Sequence, residues 1–391
     1  MKYFSAQFVF TNYGPPLKRP IICTTDDFTI VSIEETGGDL IEKNNIEFYN
    51  GIIIPGFVNC HCHLELSYLK NELSTGNGLS GFLNELNKKR INIIKDEEKL
   101  ARKADKEMRN AGIVLCADIC NSSLTFDLKK GSKLKYINLI EVFGINHHKA
   151  EQRIKEALAL AELSKLYGLP YYITPHSVYS LSLPLFRMIK ELSRYNALTS
   201  VHFLESKEEI TFLEKHSGML MDTYKNFLPP DEDPITVKNH ITAILEETTC
   251  SGNLILVHNT FIEKKHIEIF KDRANLYYCL CPNSNLLLED KLPPVMLMAD
   301  EGCDIVIGTD SLASNNELNI LAEIKTLQKN FPALSLETLV RWATLNGARA
   351  LSATDRFGSI VPGKKPGLIL IKDLDLINLK LLPESKAVML T

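Results

Sequence analysis

The chain has 391 residues, with 44 basic and 48 acidic side chains and a net charge of −4. At roughly 150 residues per domain, that length suggests two or three domains, or one large α/β barrel with an appendage. Charged residues at 24% and apolar residues at 45% exclude a disordered or fibrous chain, and the mild acidity argues against a nucleic-acid binder.

The first 50 residues read as β-rich. Short β-branched or aromatic runs at 3–10, 21–25, 28–33 and 46–49 are punctuated by Pro15-Pro16 and Gly37-Gly38. The opening run alternates apolar and polar residues, which fits a strand better than a signal-peptide core. No stretch approaches the roughly 18 uncharged apolar residues of a membrane helix. Nine cysteines, an odd number scattered along a long chain, point to reduced thiols and a cytoplasmic location.

From residue 51 the pattern changes. Apolar runs at 51–59, 113–119, 134–142, 171–174, 198–203, 254–257, 276–279 and 303–308 alternate with amphipathic stretches such as 152–167, 183–195 and 316–329. Eight strand signals separated by helices match a (β/α)₈ barrel, although a doubly wound sheet gives a similar pattern. Strand-like runs return at 358–361, 368–372 and 379–390. The expected architecture is therefore a (β/α)₈ TIM barrel over 51–354, with residues 1–50 and 355–391 folding together as a small β-sandwich. Neither tail is long enough to be stable alone.

Two motifs are decoys. Gly76-Asn77-Gly78-Leu79-Ser80-Gly81 matches a dinucleotide fingerprint but follows a loop-like segment rather than a strand. Gly358–Lys364 resembles a phosphate-binding loop, but Lys365 stands where Ser or Thr is needed and Pro362 removes an amide.

The chemistry gathers at strand ends. The first barrel run leads into Cys60-His61-Cys62-His63. Residues two apart share a side of an extended chain, so His61 and His63 can face one metal ion. Cys60 and Cys62 are expected to point away from them as small buried residues. His176, His202, His258 and Asp310 each follow a predicted strand, at the barrel face where catalysis is located. The other five histidines, His147, His148, His216, His240 and His266, read as surface. Nitrogen ligands with one carboxylate suit one divalent ion, zinc most naturally, with iron or manganese also fitting. Glu205, three residues past His202, is placed to shuttle protons at the same site.

Pro55-Gly56-Phe57-Val58-Asn59-Cys60-His61-Cys62-His63, His202-Phe203-Leu204-Glu205-Ser206, His258-Asn259 and Gly308-Thr309-Asp310-Ser311 resemble motifs of the amidohydrolase superfamily. The similar branch is that of deaminases and chlorohydrolases, which includes adenosine-type, S-adenosylhomocysteine, guanine and aminofutalosine deaminases. Thr174 to Ser182, Cys281 to Asn285 and the Gly358–Lys364 tail are also similar to it. The resemblance implies that His61, His63, His202 and Asp310 hold one metal. It implies that Glu205 carries a proton from the metal's water to a ring nitrogen, and that His258 orients the attack. Asp310 would pass a proton to the leaving amine, and His176 would touch the substrate. His63-Leu64-Glu65-Leu66-Ser67 resembles the aminofutalosine-deaminase subgroup, where Glu65 would bind sugar hydroxyls. The alternative for Glu65 is a helix-start or surface carboxylate.

The implied activity is hydrolytic deamination of an aminated purine-like heterocycle. A related hydrolase acting on a C–Cl or cyclic C–N bond is the second reading. A barrel that binds without turnover is the third. The expected partner is a small-molecule substrate, with no nucleic acid or membrane, and a homodimer is common in such families. Cys60 stands where the family usually has Thr. Leu280 and Asn283 likewise depart from its usual His and Arg, close enough to the site to bear on substrate identity.

Overall fold

The computed structural model describes residues 1–74, 76–92, 96–248 and 250–391. Strands β1 (Lys2–Val9), β2 (Leu17–Lys18), β3 (Ile21–Thr24), β4 (Ile30–Glu34) and β5 (Ile46–Pro55) come first. Eight strands interleaved with helices follow: β6 (Phe57–Cys62), β7 (Ile113–Cys120), β8 (Lys135–Val142), β9 (Tyr171–Pro175), β10 (Leu198–Phe203), β11 (Asn253–His258), β12 (Leu276–Leu280) and β13 (Ile305–Ile307). β14 (Leu368–Asp375) and β15 (Lys380–Met389) come last.

The terminal strands form one continuous seven-stranded sheet in the order β15-β14-β5-β1-β3-β4, with β2 paired to β1. β5 runs parallel to β1 and antiparallel to β14, so its hydrogen bonds tie the two chain ends together. Phe4, Ile22, Ile53, Ile360 and Leu370 form a small core of their own beside it. Pooling the two ends supplies the apolar surface that neither has alone.

Two expected boundaries move. The run at 51–59 is not one barrel strand: it divides at Gly56, leaving residues up to Pro55 in the terminal sheet and starting the barrel at Phe57. A Cβ at Gly56 would lie 2.4 Å from Val114 Cγ1 and 2.7 Å from the Pro366 carbonyl, so only glycine fits this joint. The run at 358–361 is an irregular turn instead of a strand, because Gly358 adopts φ +84°. Ile360 is still anchored, its N–H donating to the Thr11 carbonyl at 3.0 Å.

The middle strands are all parallel, in two four-stranded sheets, β6 to β9 and β10 to β13. Bridges between Ser177 and His202 and between Cys62 and Asp310 join the sheet edges into the ring of a (β/α)₈ barrel. The His202 N–H donates to the His176 carbonyl at 2.9 Å, and the Thr309 and Asp310 N–H groups both donate to the His61 carbonyl at 3.0 Å. Both seams of the barrel therefore run through residues singled out from the sequence. Cys60, Ala117, Leu139, Ile255, Val257 and Cys279 fill the interior. With helices outside and side chains inside, both faces of each strand are buried, which is why the strands read as near-continuous apolar runs.

The expected helices are present with shifted ends, at Ala150–Leu166, Leu183–Ser193 and Ile320–Asn330. The last starts four residues late because the Asn319 side chain caps it, accepting from the Leu321 N–H. The helix Gly78–Asn92 begins inside the glycine-rich stretch, with no strand in the described residues just before it. Among the described residues, no helix is long and apolar enough to cross a membrane.

Candidate active site

A β-bulge aims the first two histidines. Asn59 pairs with Cys116 but Cys62 pairs with Asp118, so three steps of β6 span two of β7. An extra residue reverses the side-chain alternation at that point. Cys60 accordingly lies in the interior cluster, while Cys62 lies with Cys116 in the cluster shared with the helices. Simple alternation placed both cysteines on one face; they are buried as expected but on opposite sides. Past the bulge, His61 and His63 turn towards the barrel mouth together.

His61 and His63 place their Nε2 atoms 3.1 Å apart, and Asp310 Oδ1 lies 3.7 and 3.4 Å from them. Two ring nitrogens this close cannot both carry protons, so at least one lone pair faces the other. His202 completes the cluster, its ring centroid 4.8 Å from that of His61. His202 Nδ1 lies 2.6 Å from the His176 carbonyl, which fixes its proton on Nδ1 and frees the Nε2 lone pair. Burial and the surrounding imidazoles hold His61 well below the usual histidine range and bring His63 down to about 3. Burial alone would raise Asp310, but His63, His258 and the Ser284 and Ser314 hydroxyls outweigh it and bring it to about 2. Those hydroxyls donate to Asp310 Oδ2 at 2.6 and 2.7 Å, leaving Oδ1 towards the histidines. Neutral imidazoles and an ionised carboxylate are the ligating forms, so the residues present fit a divalent ion. His61, His63, His202 and Asp310 would hold it.

Three further groups surround this cluster. Glu205 is 6% exposed, and burial pushes its carboxyl up to about 8. Tyr179 donates to Glu205 Oε2 at 3.1 Å, and His258 Nε2 lies 3.5 Å from Oε1. The His258 Nδ1 faces Asn285 Oδ1 at 2.8 Å, so the buried Nε2 has no protein hydrogen-bond partner. His176 is brought down to about 3, chiefly by burial, and its Nδ1 is held by Ser177 and Ser180 at 2.8 and 2.7 Å. Leu204 (φ 49°), His258 (φ 75°) and Asp310 (φ 59°) all hold left-handed backbone conformations. Such strain persists only where surrounding structure enforces it, and it gathers at active sites. Gly308 permits the close approach of β13, since a Cβ there would lie 2.8 Å from that of His61.

These groups open onto a cavity of about 370 Å³. Its far side is apolar, with Leu79, Phe82, Leu83 and Phe227 among the lining residues. Arg90, Lys149 and Arg153 also line it, and Arg153 is tied to Glu156 at 2.8 Å.

Other expectations need amending. His240 is not on the surface: it is 3% exposed and bonds Glu209 Oε1 at 2.8 Å, because the helix Lys207–Lys215 turns Glu209 inward from an otherwise charged segment. Glu65 stands in the first turn of the short helix Leu64–Leu69, so the helix-start alternative holds, but it is not a surface carboxylate. It is 6% exposed and accepts from the Asn121 and Ser122 N–H groups and the Ser122 hydroxyl, at 2.9 to 3.2 Å, behind the cavity wall. Sequence reasoning missed Glu141, a buried carboxylate in the cavity wall, and the roles of Asn285 and Tyr179. Glu141 is the next-to-last residue of a largely apolar strand, and a lone acidic residue there was the available signal.

The sequence model of the amidohydrolase family matches residues 52–389. The chain belongs to that family. An adenosine deaminase of Helicobacter pylori is 27% identical to this amidohydrolase over 330 residues, covering 82% of this chain and 79% of the relative. A 5'-deoxyadenosine deaminase of Methanobrevibacter smithii is 29% identical over 388 residues, covering 91% of this chain and 80% of the relative. Among solved structures, Helicobacter pylori aminofutalosine deaminase in complex with methylthio-coformycin aligns with a TM-score of 0.81 at 24% identity, covering 99% of this amidohydrolase and 97% of that chain.

Proposed function

We propose that this amidohydrolase is a metal-dependent hydrolytic deaminase of adenosine-type derivatives. The observation that carries the reading is the convergence of His61, His63 and Asp310 at 3.1 to 3.7 Å beside a buried Glu205 and His258. A divalent ion held there would lower the pKa of a bound water towards neutrality and so supply a hydroxide nucleophile. The donor set of three imidazoles and one carboxylate favours zinc, with iron or manganese also accommodated. The nine cysteines are all free, which supports a reducing, cytoplasmic setting.

The protein groups divide the proton work. Replacing a ring amine by a carbonyl requires attack at carbon, protonation of the adjacent ring nitrogen and protonation of the departing amine. Glu205, poised near neutrality by burial, takes a proton from the attacking water and gives it to the ring nitrogen. His258 Nε2, held towards Glu205 by Asn285, orients the nucleophile against the ring. Asp310 accepts the second proton and delivers it to the leaving amine, which departs as ammonia. His176, at the seam between β9 and β10, contacts the substrate beyond the reacting carbon.

An ammonia-release screen of purified protein against adenosine, 5'-deoxyadenosine, aminofutalosine, guanine, pterins and cytosine tests the reading. Release from adenosine derivatives, dependent on about one metal ion per chain, is the expected result. Full activity in metal-free protein, or chloride or ring-opened products with no ammonia, would overturn it.

A further inference from the structure

We propose that Glu141 accepts a hydrogen bond from a hydroxyl group of the substrate's sugar, and so makes an intact ribosyl group a condition for efficient turnover. The inference rests on the deaminase reading above and names a specificity residue within that site.

Glu141 lies one residue before the C-terminal end of β8, lines the cavity and is 7% exposed. Its Oε2 accepts from Asn121 Nδ2 at 3.0 Å. Its Oε1 is buried with no hydrogen-bond partner in the protein. The nearest basic atom is His202 Nδ1 at 3.9 Å, already engaged by the His176 carbonyl. A buried carboxylate oxygen without a donor is strongly unfavourable, and its place in a cavity wall implies a donor that arrives with the ligand.

The chemistry of the substrate narrows that donor. In an adenosine-type molecule the free ring nitrogens accept hydrogen bonds, and the exocyclic amine is the group that leaves beside Asp310. The sugar hydroxyls are the donors that remain. The location agrees: polar atoms of Glu141, His176 and His202 lie within 4.8 Å of one another, so Glu141 and His176 flank the metal cluster on the side of His202. A sugar attached to a ring seated at that cluster would fall there.

The acceptor is also held ready. Glu65 takes the N–H groups of Asn121 and Ser122 and the Ser122 hydroxyl, fixing the turn after β7. Asn121, so fixed, holds Oε2, and Oε1 of this cavity-lining residue is left without a donor. Glu65, the carboxylate expected to meet the sugar, is thus a positioning residue for the one that does. A pre-set acceptor loses little freedom on binding, which raises its contribution to specificity.

The test uses the metal-loaded enzyme, the best nucleoside from the screen and its 2'-deoxy and 3'-deoxy counterparts. Wild type should lose roughly 10- to 100-fold in kcat/KM on one deoxy counterpart, the range for a hydrogen bond to a charged group. In Glu141→Gln that discrimination should fall to within about 3-fold, while the rate on the same deoxy substrate stays near the wild-type value, as a coupling cycle requires. Asn121→Ala, which keeps the carboxylate but frees it, should narrow the discrimination partly and checks the result if Glu141→Gln does not fold. Unchanged discrimination in both variants, or an equal loss on all substrates, overturns the assignment. So does a second metal equivalent that is bound by wild type and lost in Glu141→Gln, since Glu141, His176 and His202 would then hold an ion. If no nucleoside releases ammonia, the deaminase reading falls and this inference falls with it.

Discussion

Two buried polar clusters lie at different places in the barrel. At the mouth, His61, His63, His202 and Asp310 crowd together with His258 Nε2 and Glu141 Oε1 left unpartnered. On the helix side of β7, Lys129 lies fully buried against Asp118, with its Nζ 3.1 Å from Cys120 Sγ and 2.8 Å from Asn138 Oδ1. Opposite charges face each other in the second cluster, so it is complete within the protein. Imidazoles gather in the first, kept neutral chiefly by burial and further by one another, beside the single Asp310 carboxylate. Burial alone therefore marks neither function nor structure. What separates the clusters is whether the protein supplies its own counter-charges.

The widest separation should come from His61→Ala. It should abolish both metal content, read by elemental analysis, and turnover, while leaving the Lys129 cluster and the fold intact. A variant that keeps one metal ion per chain would show that the mouth cluster is not the ligand set. Glu205→Gln should keep the metal and lower kcat by about 10²- to 10⁴-fold, the range for general acid–base catalysis. Wild-type turnover in that variant would remove Glu205 from the proton path.

Lys129→Met should do the opposite. Leaving Asp118 without its partner should cost about 3 to 5 kcal/mol of stability in denaturant titrations. The folded fraction should retain its metal and its kcat, and selective loss of metal would mean that the clusters are coupled. Asn285→Ala, which frees His258, should lower kcat by roughly 10- to 100-fold with little change in stability.

The mildest test needs no mutation. Burial raises Glu323 to about 8 and Glu65 to about 7, from an ordinary glutamate value of 4.5. Raised acid values mean that the folded state binds more protons than the unfolded state between those limits. Their contribution is complete below about pH 4.5 and is lost as pH climbs through 7 and 8. Above the ordinary histidine range, where the lowered imidazoles no longer add an opposing rise, thermal stability should therefore decline, by up to about 1.4 kcal/mol per pH unit for each group. Glu323→Gln should flatten the upper part of the decline.

The legibility of the molecule was uneven for physical reasons. His61, His63, His202, His258 and Asp310 stood out because each follows an apolar run, and parallel barrel strands end at one face. Glu205 stood out by its spacing from His202. His240 and Glu65 did not, because the depth of a polar residue depends on what packs over it from elsewhere in the chain.

The sequence by itself determined the alternation of strands and helices, the pairing of the two β-rich ends as partners, and the histidines and carboxylates that gather at the barrel mouth. Strand periodicity and local spacing carry that information over short distances. Only the tertiary structure decided the rest. The joint at Gly56 depends on Val114 and Pro366, and the reversal of alternation in β6 depends on its register against β7. The two barrel seams bring His176 to His202 and His61 to Asp310, from positions up to 249 residues apart. Whether a buried oxygen such as Glu141 Oε1 finds a donor is likewise settled only when distant segments close around it.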